Sequence, residues 1–121
     1  MISTFYDSKT HTVVIEFAGK VDASEAGPFF AQVEKVVPKQ GGFKLLTDMS
    51  KVQSFDPELK DFIKHTMEFF DDRGVTDIVR VVVEPSQDIG FNIMSLFHYS
   101  PRVKFLTVAS RKEAEARLQE V

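Results

Sequence analysis

A chain of 121 residues can bury one sizeable hydrophobic core but hardly two, so one fold spanning residues 1–121 is expected. Hydrophobic residues at 43% and charged residues at 27% exclude the charge-rich, apolar-poor composition of a disordered chain. The formal charge of -3, with Lys and Arg scattered, offers phosphate backbones no broad positive field, which argues against nucleic acid as a partner.

The chain has no Cys, so disulfides, thiolate metal sites and a cysteine nucleophile are ruled out, and an intracellular protein fits that. The start MISTFYDSK lacks a basic stretch followed by an apolar run, and no segment reaches the roughly 20 apolar residues of a membrane-spanning helix. A cytoplasmic location is the expectation. Twelve Phe with two Tyr and no Trp is an unusual aromatic set, suited to a core and also to an adhesive surface.

Residues 2–6 and 12–18 are β-rich and partly alternating, and Asp7-Ser8-Lys9-Thr10 between them reads as the turn of an antiparallel hairpin. Asp22-Ala23-Ser24-Glu25 is a helix-opening signal, and Ala26, Phe30, Val33 and Val37 recur at helical spacing behind it. Pro28 lies too deep for a first-turn proline if Asp22 is the cap, so that helix must kink or begin later. Pro38 and Gly41-Gly42 end it, and Phe43 to Asp48 reads as a short buried strand.

The second helix is bounded by Asp56 as cap, Pro57 at the first helical position, Glu58 at the positive end of the dipole and Gly74 at the far end. Leu59, Phe62, Ile63, Thr66, Phe69 and Phe70 fall on its apolar side. Ile78 to Val83 is a β-branched run interrupted by Arg80, the pattern of a central parallel strand covered on both faces. A third helix is expected over 86–98, a strand over 104–108, and a last helix opened by the capping box Ser110 to Glu113 with Ala114 and Leu118 inward.

The resulting order is β-β-α-β-α-β-α-β-α, an α/β fold with a mixed five-stranded sheet, mostly parallel with an antiparallel N-terminal hairpin, and four helices. This order and the segment Thr47-Asp48-Met49-Ser50-Lys51-Val52-Gln53-Ser54-Phe55-Asp56-Pro57-Glu58-Leu59 resemble the STAS domain of bacterial anti-sigma-factor antagonists. In that family a strand ends in Asp-Leu-Ser and an Asp-Ser-Ser-Gly segment opens the next helix, its second serine being phosphorylated. Asp48, Met49 and Ser50 match the strand end and Asp56 the helix opening, but Pro57, Glu58 and Leu59 replace the serines and glycine.

The phosphorylatable hydroxyl is absent, and Glu58 supplies a fixed negative charge at its place. The stretch is closer to the SpoIIAA-like subgroup, which lacks that serine. The resemblance implies a regulatory or interaction domain without catalysis, with small lipid-like ligands reported for some related domains.

Asp48, Ser50, Asp56 and Glu58 form one candidate surface at the strand-to-helix crevice, although a strand end, a helix cap and the helix dipole each account for these residue types. The segment 86–99 carries one formal charge, and at about 100° per residue Ile89, Ile93, Leu96 and Phe97 face inward while Phe91, Met94 and His98 fall opposite. Phe91, Met94 and His98 turned to water would want a cover: a protein partner, a second copy in a homodimer through helix 86–98, or a ligand. The plainer reading is that the helix ends early, at Leu96, or rotates so that Phe91 caps the edge of the core.

A small apolar ligand held between sheet and helices near Phe62, Phe69, Phe91 and Phe97 is the alternative function. His11, His65 and His98 have no metal-ligand spacing, and no phosphate loop, dinucleotide fingerprint or nucleophile elbow appears, so no cofactor is expected. Asp71, Asp72 and Glu84 read as solvated faces and helix ends.

Overall fold

The computed structural model describes residues 1–82 and 99–120. Alternating β-rich residues on either side of a polar turn close β1 (Ile2–Asp7) and β2 (Thr12–Val21) into an antiparallel hairpin, with Ile2 opposite Phe17 and Asp7 opposite Thr12. In the turn, Asp7 Oδ1 accepts from the Lys9 N–H at 3.0 Å, and His11 takes the left-handed region at φ 54°, rare for a residue with a side chain.

A 3-10 turn at Ala23–Glu25 leads into α1 (Ala26–Val36). The helix therefore begins later than Asp22, and Pro28 falls within its first turn, where a missing N–H costs little. Glu25 stitches this entry to the first strand. Its carboxylate accepts from the Asp22 N–H at 2.9 Å and the Ile2 N–H at 3.1 Å, and lies 3.3 Å from the chain's amino terminus. Phe29 and Val33 are the buried residues of α1, whereas Phe30, expected inward, is half-buried.

Strand β3 runs over Phe43–Phe55, well past Asp48 where the sequence pattern ends it. Its second half pairs with Ala18 to Val21 of β2 through two register shifts. The polar residues Lys51, Gln53 and Ser54 read as a loop because partner hydrogen bonds, not side-chain burial, hold that extension in the sheet. Pro57–Leu59 forms a 3-10 turn capped by Asp56, whose Oδ1 accepts from the Glu58 N–H at 2.9 Å. Helix α2 (Lys60–Asp72) follows. Gly74, at φ 92°, turns the chain into β4 (Val75–Val81), and its carbonyl lies so close to Gly42 that a Cβ there would sit 3.2 Å away.

Strand β5 (Lys104–Val108) and α3 (Arg111–Gln119) complete the described chain, with Ser110 accepting from the Glu113 N–H at 3.2 Å. The sheet order is β1-β2-β3-β4-β5, with β1 and β2 antiparallel and the other three pairs parallel. Among the described residues there are three α-helices rather than the four expected, and the segment 86–98 lies outside them. No helix among the described residues is long and apolar enough to cross a membrane.

The alternation of strand side chains divides the buried residues into two clusters, one on each face of the sheet, where the chain length pointed to a single core. On one face α1 and α2 pack on Val13, Ile15, Leu45 and Ile78 through Phe29, Val33, Met67 and Phe70. On the other, α3 lays Ala114 and Leu118 over Val14, Leu46, Val79, Val81 and Val108. Phe5, Val14, Leu46, Val79 and Leu106 are registered neighbours across that second face, and the two at the sheet edges stay open, Phe5 at 44% and Leu106 at 37% exposure.

With so little apolar surface on α3, Leu118 carries most of its hydrophobic attachment. Leu118→Ala should lower the unfolding free energy by about 2–3 kcal/mol, the lower part of the range for buried leucines because a terminal helix can settle. Urea denaturation measures this, and amide exchange should show α3 losing protection before β3.

Candidate functional site

Between α1, α2 and the sheet lies a cavity of about 60 Å³. Its floor includes Ile15, Thr47 and Arg80, registered neighbours on β2, β3 and β4, and its roof is Phe29 of α1 with Phe62, Ile63, Thr66, Met67 and Phe70 of α2. Ile2, Phe17 and Phe55 close one side and Tyr99 another. Ile2, Phe17, Phe55, Phe62 and Ile63, all half-buried, form the rim, while Arg80 and Tyr99 are buried.

The wall is apolar except for Thr47, Thr66, Arg80 and the Tyr99 hydroxyl. Thr66 donates its hydroxyl to the Phe62 carbonyl at 2.9 Å, as a helical threonine does. Arg80 is only 4% exposed, with its guanidinium carbon 5.4 Å from the centre of the Phe105 ring. Burial pushes the Tyr99 hydroxyl's pKa upward, nearby Arg80 opposing and Asp71 reinforcing the shift, so the group stays protonated. Arg80 is the cavity residue that the sequence marked, as the interruption of the run Ile78 to Val83, without revealing its use.

The expected pocket residues separate. Phe62 lines the cavity, with its ring 5.7 Å from Phe29. Phe69 instead packs outward, 5.2 Å from Phe30 and beneath the Arg73 guanidinium at 4.7 Å, in an aromatic row that includes His65. Phe97 lies outside the described residues, as do Phe91, Met94 and His98.

The polar candidates also divide. Asp48 and Ser50 belong to a charged cluster on the α3 side. Ser50 donates its N–H at 2.9 Å and its hydroxyl at 2.6 Å to Asp48 Oδ1, and Arg111 Nη1 reaches Asp48 Oδ2 and Glu16 Oε2, each at 3.1 Å. Arg111 Nε adds Glu115 at 3.1 Å. Asp56 is a helix cap, and Glu58 is exposed in the turn that it caps. His11 Nδ1 lies 2.9 Å from the Tyr6 hydroxyl. Asp71, read as solvated, accepts from the Ser100 hydroxyl at 2.9 Å and from Arg102 at 3.3 Å. Among the described residues no group of three or more His, Cys, Asp or Glu could hold a metal ion.

The cluster has a pH signature. Burial alone would raise the Asp48 pKa, but the Ser50 hydrogen bonds and Arg111 outweigh it and hold the carboxyl below its ordinary value. Burial likewise opposes the Arg111 charge, while Asp48 and Glu16 raise its pKa overall. A carboxyl depressed on folding stabilises the native state above its unfolded pKa of about 3.9 and loses that contribution as pH falls through the lower folded value. Below about pH 4, stability should therefore drop more steeply in the parent protein than in Asp48→Asn, measured by urea midpoints between neutral pH and acid.

No protein-family model matches the sequence, and no curated protein shows significant sequence similarity to it. Solved structures do match. An uncharacterized protein from the DUF3478 family with a SpoIIAA-like fold, from Shewanella loihica PV-4, aligns at a TM-score of 0.71 with 10% identity, over 98% of this chain and 92% of that one. The anti-sigma factor antagonist SpoIIAA in its unphosphorylated form aligns at 0.69 with 13% identity, over 100% of both chains. The five-stranded sheet, with its antiparallel hairpin and parallel remainder, thus has the SpoIIAA-like fold of the STAS type.

Proposed function

We propose that the chain is a non-enzymatic, cytoplasmic regulatory domain that senses or carries a small apolar molecule. The cavity under α1 and α2 supports this reading, because a largely apolar wall with a few placed polar groups is the usual make-up of a small-molecule site. The polar side chains that sequence analysis had set apart are committed elsewhere: Asp48 and Ser50 secure α3, and Asp56 caps the turn before α2. A second reading, a domain that binds a protein partner, is supported by the likeness to SpoIIAA, an anti-sigma factor antagonist, and by the exposed Glu58 at the opening of α2.

Freshly purified protein should retain a non-covalent adduct in native mass spectrometry that is lost on denaturation. Stripped protein should bind the neutral apolar fluorophore N-phenyl-1-naphthylamine, and Ile63→Trp, which narrows the rim, should weaken that binding about tenfold, a loss of about 1.4 kcal/mol. A bare chain that binds no fluorophore would instead favour the protein-partner reading.

A further inference from the structure

Strand β1 lies at one edge of the sheet, and its outer side faces no other strand among the described residues. Ala18 donates its N–H to the Met1 carbonyl at 2.8 Å, so backbone alternation turns the N–H and C=O of Ile2, Thr4 and Tyr6 away from β2. Glu25 accepts from the Ile2 N–H, which leaves the Ile2 carbonyl and both backbone groups of Thr4 and Tyr6 along the edge. Exposed edges are ordinarily guarded by charge, proline or a bulge, and β5, the opposite edge, opens on the exposed Lys104. Ile2 to Tyr6 carries no charge and no proline, and its register with β2 runs without a bulge.

Two side chains of the strand are also out of keeping with a bare edge. Thr4 is 8% exposed, yet its hydroxyl has no hydrogen-bond partner. On the other face Phe5 is 44% exposed. Beside Thr4 a groove of about 280 Å³ runs between the strand and α1, bounded by Ser24, Pro28 and Gln32, and leaves room for an incoming strand. We infer that a second copy of this chain adds its own β1 antiparallel to this edge, about a two-fold axis at Thr4. In that register each Thr4 N–H meets the partner's Thr4 carbonyl, and each Tyr6 N–H the partner's Ile2 carbonyl. A threonine hydroxyl both donates and accepts, so the two Thr4 side chains satisfy one another, which a strand of arbitrary sequence would not do. Ser3 falls opposite the partner's Phe5, which brings the two Phe5 rings together diagonally across the axis and covers both.

The chain has no Cys, so a single introduced thiol reports the contact. Facing residues of a hydrogen-bonded antiparallel pair lie about 5.5 Å apart at Cα, within the reach of a disulfide, whereas diagonal residues such as the two Ser3 lie about 7–8 Å apart, beyond it. Under mild oxidation Thr4→Cys should therefore form a covalent dimer about tenfold faster than Ser3→Cys, although position 3 is exposed and position 4 buried. Sedimentation velocity should show the parent in monomer–dimer equilibrium, as suits the small interface of one strand pair. Phe5→Lys should raise the dimer Kd about tenfold, and mixing it with Phe5→Asp should restore a heterodimer, since opposite charges then meet across the axis. A parent that stays monomeric up to its solubility limit overturns the proposal and leaves the edge to another protein's strand. A dimer that Phe5→Lys leaves intact also overturns it, as does Ser3→Cys cross-linking as fast as Thr4→Cys. If Thr4→Cys does not fold, the Phe5 variants decide by themselves.

Discussion

Strand β3 is paired along both edges, to β2 and to β4, and its two-residue alternation organises everything around it. Leu45 and Thr47 point toward α1 and α2, where one enters the core and the other the cavity floor. Lys44, Leu46 and Asp48 point the other way, and all three meet α3: Lys44 Nζ donates to the Leu118 carbonyl at 2.7 Å, Leu46 packs beneath the helix, and Asp48 holds Arg111. A slip of one residue would exchange the two sets and place a carboxylate and an ammonium under the aromatic helices.

That alternation also explains which parts of the structure the sequence conveyed. Hairpin, parallel order and the second helix follow from apolar periodicity and capping residues, which act locally: Asp56, Pro57 and Gly74 mark their boundaries by backbone chemistry that needs no partner. The far half of β3 depends on β2 for its hydrogen bonds, and its own residues, Lys51, Gln53 and Ser54, carry no strand signal. The choice of Phe29 over Phe30 as the buried residue depends on where α1 begins, a matter of one turn at Pro28.

The site was harder to see than the fold for the same reason. Asp48 and Ser50 stand out in the sequence as a motif, yet their partner Arg111 is 63 residues from Asp48 and no local pattern joins them. Phe62 and Phe69 look equivalent on a helical wheel and both touch α1, but Phe62 packs on Phe29 and reaches the cavity, whereas Phe69 lies against Phe30 and beneath Arg73. Arg80 registers in sequence only as an oddity within an apolar strand. Its place in the cavity wall depends on Thr47, its registered neighbour on β3, and on Tyr99, which lines the same cavity from the segment before β5.

The late position of α3 has a bearing on synthesis. The salt bridge from Arg111 to Glu16 spans 95 residues, and the helix that shelters Val14, Leu46 and Val79 is the last element of the described chain to be made. While the chain emerges from the ribosome, β1 to β4 with α1 and α2 are made before α3, so among the described residues the cover that Ala114 and Leu118 give to Val14, Leu46 and Val79 comes late. A nascent chain halted before α3 would present a row of aliphatic side chains to the cell, making it a natural client for holding chaperones and a target for quality-control proteolysis.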